Sequence, residues 1–324
     1  MKHSDLAAQS NSPNVVNAGF VVVKPTRLSS RVYIAVREIT SNSTVTDDQR
    51  ALNIVINKLR REKSGLNATV FDKRLYMSGE QYFEQMKRLL PRANDPCSSL
   101  NKVSCSVLVV HNNWIVSKEA KIYRFREHLM WLYDGENHYY SSEKCKYLTY
   151  INPKPTASHD TFSLSDEKQL KNRQISALKT ALSMGYLLKR VVILPRFYCD
   201  TNSVQCPLNS LINIRTFDLA FLNQYRESSF LQHPKVPNDV KQSLSEQRLW
   251  HTNRTFMSDK AQTITGNEIL RFCAHIKDKV INVGILEGIR IIFSNNTSGT
   301  VFSETMSKAF RLSDYRQQKH AEYL

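Results

Sequence analysis

Apolar residues in the first third of the chain follow two rhythms. Val15-Val16-Asn17-Ala18-Gly19-Phe20-Val21-Val22-Val23 is a β-branched run with a polar interruption at Asn17 and Gly19, closed by Lys24-Pro25-Thr26. It predicts a buried strand. Residues 1–14 are polar and predict a poorly packed start. A short amphipathic helix is expected over 28–38. A stronger one follows the polar loop 40–45, because Leu52, Val55, Ile56 and Leu59 recur at helical spacing. The basic cluster Lys58-Leu59-Arg60-Arg61-Glu62-Lys63 reads as the solvated end of that helix, where cations complement the macrodipole. Mixed short elements fill 66–96, with a helix around 85–90. Val107-Leu108-Val109-Val110 predicts a fully buried strand that runs into His111-Asn112-Asn113-Trp114, then a helix from Lys118 to Leu129.

The second half has a different texture. A polar, tyrosine-rich stretch with Pro153 and Pro155 covers 134–164 and predicts a linker. A long helix over Ser165–Lys189 leads into the strand Val191–Leu194, stopped by Pro195. Helix followed by buried strand belongs to an α/β layer. Further strands are expected at Ile212–Ile214, Ile281–Ile285 and Arg290–Phe293. The expected division is a partial start over 1–14, a first domain over 15–135, a linker over 136–164 and a carboxy-terminal α/β unit over 165–324.

Composition changes this picture in three places. The 324 residues carry a net charge of +16, which admits a polyanionic partner, but the basic residues are scattered and nothing resembles a nucleic-acid module. No nucleic-acid partner is therefore expected. No apolar run approaches the ~18 residues that span a bilayer, and Met1-Lys2-His3-Ser4-Asp5 lacks the apolar core of a secretory signal. Against a cytosolic reading stand the glycosylation acceptor patterns at Asn42, Asn67, Asn253, Asn295 and Asn296. The six cysteines show no C-x-x-C spacing, so a zinc ribbon is not expected. Cys97 with Cys105, and Cys199 with Cys206, are close enough in sequence to close short loops in an oxidising compartment; six buried thiols are the equal alternative.

Chemistry concentrates at His111. A strand delivers it to a sheet's carboxyl edge, where α/β proteins place ligands. An imidazole there suits a divalent metal, and Lys118 or Lys121 near the helix start suits phosphate oxygens. The bland account has His111 hydrogen-bonding the turn while Ser117 caps the helix. Likewise Thr46-Asp47-Asp48-Gln49 fits a capping box in which Thr46 caps and Gln49 reaches back. Asp48 also favours a helix start electrostatically, and Gly19 suits a bulge.

Four ordered blocks within about the first 135 residues resemble family 77 glycosyltransferases. His111 with Asn113 and Lys121 is similar to the family's H-x-N-x-x-x-G-x-x-x-K block, with Ser117 where the family has glycine. Asn17-Ala18-Gly19-Phe20 is similar to its N-x-G-F strand, Asp48-Gln49 with Leu52-Asn53 to its D-Q-x-x-L-N helix start, and Phe71 through Phe83 to its F-x-x-G-x-x-Y-F turn. Residues 165–324 resemble the family's carboxy-terminal extension.

The resemblance implies a GT-A-type α/β fold and a nucleotide-diphosphate sugar donor. It implies a divalent metal, manganese, held by His111, and diphosphate contacts from Lys121 with Asn113 among the donor-binding residues. Asp48 would bind donor hydroxyls, Gln49 would sit beside the anomeric carbon, and Asn17 and Gly19 would line the sugar pocket. Transfer would go to a glycan or glycoprotein acceptor with retention, on the luminal side of the Golgi membrane. The family's D-x-D carboxylates have no counterpart upstream of Asn17. The expectation is accordingly an amino-terminally incomplete chain, inactive as written, with its membrane anchor in the missing segment. A non-catalytic relative or partner subunit is the alternative.

Overall fold

The structure is a computed structural model that describes residues 4–12, 15–42, 47–85, 107–135, 137–155, 164–199, 205–206, 208–245, 262–273, 275–293 and 297–321. The chain divides into two compact units, Met1–Val116 and Ser117–Leu324. Each is mixed α/β. The break falls before the stretch expected as a linker, and the sequence 137–155 instead supplies a central strand of unit 2.

Unit 1 is built around β1 (Leu6–Ser12), which pairs antiparallel with β2 (Val15–Val23) and parallel with β3 (Ala68–Val70). The expectation of a loose start is corrected here. Leu6, Ala7, Ala8, Gln9 and Ser10 are all buried, because a strand between two neighbours is enclosed whatever the polarity of its side chains. β2, expected as the buried strand, lies at the sheet's edge and exposes Val15, Val22 and Val23.

Helices α1 (Arg27–Asn42) and α2 (Asp48–Arg61) complete the core. Leu52, Val55, Ile56 and Leu59 of α2 meet Val32 of α1 and Leu6, Ala8 and Val16 of the sheet. Each such burial is worth roughly 1.5–3 kcal/mol. Asp5 ties the sheet to α1: one carboxylate oxygen accepts from Asn67 N at 2.9 Å and the other from the Thr26 hydroxyl at 2.7 Å. These bonds, the Asn67 amide first, hold its carboxyl below the usual range. Two further short strands, β4 (Tyr76–Ser78) and β5 (Val109–His111), pair in parallel. The helix expected at 85–90 lies largely outside the described residues, as does the Cys97–Cys105 pair.

Unit 2 opens with α3 (Lys118–Glu127), capped by Ser117 through Ala120 N at 3.2 Å. Its sheet is all parallel. The strands are β6 (Tyr147–Ile151), β7 (Val191–Ile193), β10 (Tyr225–Arg226), β11 (Leu244–Ser245) and β13 (Val280–Ile285), in the order β10-β7-β6-β13-β11. The helix α4 (Leu164–Leu188) joins β6 to β7 and buries Ala177, Leu178, Ala181, Leu182 and Met184. Gly185 lets it approach: a Cβ there would lie 2.7 Å from Val192 Cγ2.

The hairpin β8 (Phe197–Tyr198) and β9 (Gln205–Cys206) is closed by the disulfide Cys199–Cys206, whereas Cys145 and Cys273 are free thiols. The strand expected at Ile212–Ile214 is instead a turn leading into α5 (Ile214–Phe221), capped by Asn213. The remaining elements are α6 (Asn238–Gln242), β12 (Gln262–Thr265), α7 (Gly266–Cys273), β14 (Ile289–Ile292), paired with β12, and α8 (Thr297–Ala321). Among the described residues no helix is long and apolar enough to cross a membrane.

Candidate functional site

The site in unit 1 begins as an irregularity in a ladder. Ala8 pairs with Val21 and Gln9 with Asn17, so Ala18, Gly19 and Phe20 bulge out across one step of β1. Such bulges re-aim side chains beside functional sites. The buried Asn17 shapes this one, its Oδ1 accepting from Gly19 N at 2.8 Å. Gly19 stays exposed at the crest.

His111 sits on that crest. A Cβ at Gly19 would fall 2.2 Å from its Cε1 and 2.5 Å from its Nε2, so the imidazole rests on the glycine where any side chain would displace it. Gln9, absent from the sequence reading, orients the ring. Its amide nitrogen donates to Tyr76 O at 3.2 Å, which turns its Oε1 towards His111 Nδ1 at 2.9 Å. An amide oxygen only accepts, so Nδ1 carries the proton and the lone pair lies on Nε2. The alternation Leu6, Ala8 against Ala7, Gln9 would have shown the strand, but polar Ser4, Ser10 and Asn11 around it hid the signal.

His111 ends a strand, as expected, but not a fully buried one. β5 pairs only with β4, its residues are half-buried, and Leu108 is exposed. Asn113 folds back with its N–H on His111 O at 2.8 Å, while its Oδ1 accepts from Gly79 N at 2.7 Å. This stitches the ends of β4 and β5 together. Beside them Phe71 stacks on Tyr76 at 4.2 Å, and Phe20 of the bulge lies 5.7 and 5.8 Å from the two rings.

The first turn of α2 is fastened to the same bulge. Asn53 Oδ1 accepts from Val16 N at 2.9 Å, and its amide nitrogen donates to Val16 O and Gln49 O at 2.8 and 2.7 Å. Gln49 is thereby held one helical turn from the residue beside Asn17. The expected capping box is corrected: Thr46 lies outside the described residues, and Asp47 is the cap, accepting from Arg50 N at 2.6 Å. Asp48 is exposed, and its Oδ1 accepts from Gln49 N at 2.8 Å.

Asn17, Gly19 and His111 thus converge, Asn113 adjoins them and α2 is tethered alongside. Lys121 belongs to α3 in unit 2. Among the described residues no group of three or more His, Cys, Asp or Glu could hold a metal. The side chains present fit a divalent cation as a single nitrogen ligand, fixed through its other nitrogen in the manner of metal-bound histidines.

Residues 3–125 match the family model described as nucleotide-diphospho-sugar transferase, a stretch that holds all seven residues singled out from the sequence. Over this stretch the chain is similar to that family. No curated protein and no solved structure matches the chain.

Proposed function

We propose that the protein is a glycosyltransferase that moves a sugar from a nucleotide diphosphate to a glycan or glycoprotein acceptor. The observation carrying this reading is the His111 ring seated on Gly19 with its tautomer set by buried Gln9, inside the stretch that matches the family. A divalent cation, manganese in this proposal, would be held by His111 together with diphosphate oxygens, and supplies charge neutralisation for the departing diphosphate.

The chain's own residues then divide the remaining work. Asn113 binds the donor's diphosphate end, stabilising the charge that develops as it leaves. Asn17 and Gly19 form the wall against which the sugar lies, the glycine allowing close approach. Asp48 accepts hydroxyls of the donor sugar and Gln49 stands beside the anomeric carbon, which supports transfer with retention. The compartment proposed is the Golgi lumen, supported by the Cys199–Cys206 disulfide, a bond of oxidising compartments.

A non-catalytic donor-binding relative is the second reading. It draws on the inward turn of Asp48 onto Gln49 N and on Ser117, which departs from glycine. Isothermal titration with uridine and guanosine diphosphates, with and without manganese, followed by a donor-hydrolysis assay, separates these accounts. Manganese-dependent binding that weakens about 100-fold in His111→Ala is expected, together with slow hydrolysis of one nucleotide sugar. Binding without hydrolysis of any donor selects the second reading; no binding of either nucleotide removes both.

A further inference from the structure

Unit 2 has an all-parallel sheet, and such sheets place ligands outside the carboxyl ends of their strands. Which edge that is can be read from Arg190. Past the far end of α4, its guanidinium donates to Tyr147 O at 3.1 Å and Asp278 O at 2.8 Å, at the amino ends of β6 and β13. The first half of α4 therefore lies at the opposite, carboxyl edge. The strand order breaks at this place: β6, β7 and β10 run successively one way, while β13 enters on the other side of β6.

A cleft of about 530 Å³ opens there between α4 and the turn that follows β13, within the usual span of small-molecule sites, roughly 300–1,000 Å³. Lys168, Gln169, Asn172 and Arg173 line one wall, and Glu287 and Gly288 the other. Arg173 bridges the walls with two parallel bonds to the Glu287 carboxylate, Nη2 to Oε2 at 2.9 Å and Nε to Oε1. The pair is held from behind. The next residue, Gln174, is fully buried, accepts from Asn152 Nδ2 at 2.6 Å, and exchanges two 2.8 Å bonds with the Tyr198 backbone. Gly288 has φ +71°, and a Cβ built on it would meet nothing within 4 Å, so the turn presents bare backbone to open space.

We propose that this cleft binds a carbohydrate. Sugar hydroxyls donate and accept at once, and the walls offer both: amides from Gln169 and Asn172, the outer lone pairs of Glu287, and the remaining N–H groups of Arg173. None of the lining residues is aromatic or a large aliphatic, so a nucleobase has no slab to lie on. Glu287 repels a phosphate and already neutralises Arg173, leaving Lys168 as the single unbalanced charge of the wall. The Arg173–Glu287 pair, fixed before any ligand arrives, reduces the entropy of ordering it on binding.

The inference does not depend on the transfer reaction, because no residue of unit 1 enters it. Saturation-transfer NMR on the full chain with methyl glycosides of galactose, glucose, mannose, xylose and arabinose tests it. Signal transfer to at least one glycoside is expected. Asn172→Ala, an exposed position that leaves the fold intact, and Arg173→Ala should each weaken it about tenfold, the value of one lost charge-assisted or bidentate contact. His111→Ala should bind the glycoside like the parent, while losing nucleotide diphosphate. No transfer to any glycoside overturns the proposal, as does transfer unchanged in both Asn172→Ala and Arg173→Ala. Displacement of the glycoside by inorganic phosphate at millimolar concentration, abolished by Lys168→Ala, also overturns it and makes the cleft an anion site. Failure of nucleotide binding with glycoside binding retained would sink the transferase reading alone.

Discussion

Two regions of the molecule bury polar side chains, and they do so to different ends. In unit 1, Gln9 and Asn17 are enclosed, yet their bonds lead outward, one to the ring of His111 and the other to the exposed amide of Gly19. In unit 2, Tyr139 lies between the guanidinium groups of Arg126 and Arg226, at 3.6 and 4.0 Å from its ring centre, and donates to the fully buried Glu227 at 2.8 Å. That network closes on itself. Glu227 Oε1, the Tyr140 hydroxyl and Arg126 Nε are buried without a hydrogen-bond partner among the described residues. Burial raises the Glu227 carboxyl above its usual range despite the pull of Tyr139 and the two arginines. A buried polar chain that ends at the surface positions chemistry; one that ends in the core costs stability and fixes packing.

The sharpest way to break this contrast is Gly19→Ala. The new methyl must occupy the place of His111 Cε1, so the ring moves and its bond to Gln9 is lost. Manganese-dependent nucleotide binding should fall about 100-fold, with overpacking of about 1–3 kcal/mol seen in the melting of the chain. Unchanged binding would show that the imidazole needs no seat on the bulge.

Glu227→Gln should have an intermediate effect with a pH signature. A carboxyl whose folded pKa is raised contributes stability that is full below its unfolded value and is lost as pH rises through the folded one. The amide keeps the Tyr139 bond without the buried charge, so its variant should melt above the parent at pH 8 and match it below about pH 4. A variant that melts lower at both would make the carboxylate a required counter-ion of the two arginines.

The smallest effect is expected at the first residue of unit 2. Ser117 adopts φ 85° and ψ 153°, a conformation almost restricted to glycine. Ser117→Gly releases that strain and loses only a few tenths of a kcal/mol of capping. A net gain of about 1 kcal/mol, read as a rise of a few degrees in Tm, would show that the glycine-type backbone persists under a serine. A loss would show that the cap on Ala120 outweighs the strain.

Legibility differed between local and assembled features. α2 was readable because four apolar residues at helical spacing need only one covering surface, and β7 because Val191–Leu194 is a short apolar run stopped by Pro195. His111, Asn17 and Gly19 stood out as residue types in a recurring pattern. β1 was not readable: its polar residues are buried by two neighbouring strands, and neighbours leave no mark on a strand's own periodicity. β6 was hidden in a tyrosine-rich stretch that reads as a linker until two parallel neighbours, β7 and β13, enclose it. Ile212–Ile214 misled in the other sense, since two isoleucines around Asn213 fit a turn into a helix capped by Asn213 as well as a strand.

What the sequence determined by itself is therefore the helices α1 to α4 and the α/β class, fixed by short-range periodicity. The tertiary structure alone decided that Gln9 orients His111 from 102 positions away, that Gly19 is its seat, and that Arg173 meets Glu287 across a cleft. These depend on strand register and bulge geometry, which long-range pairing sets and no local run of residues encodes.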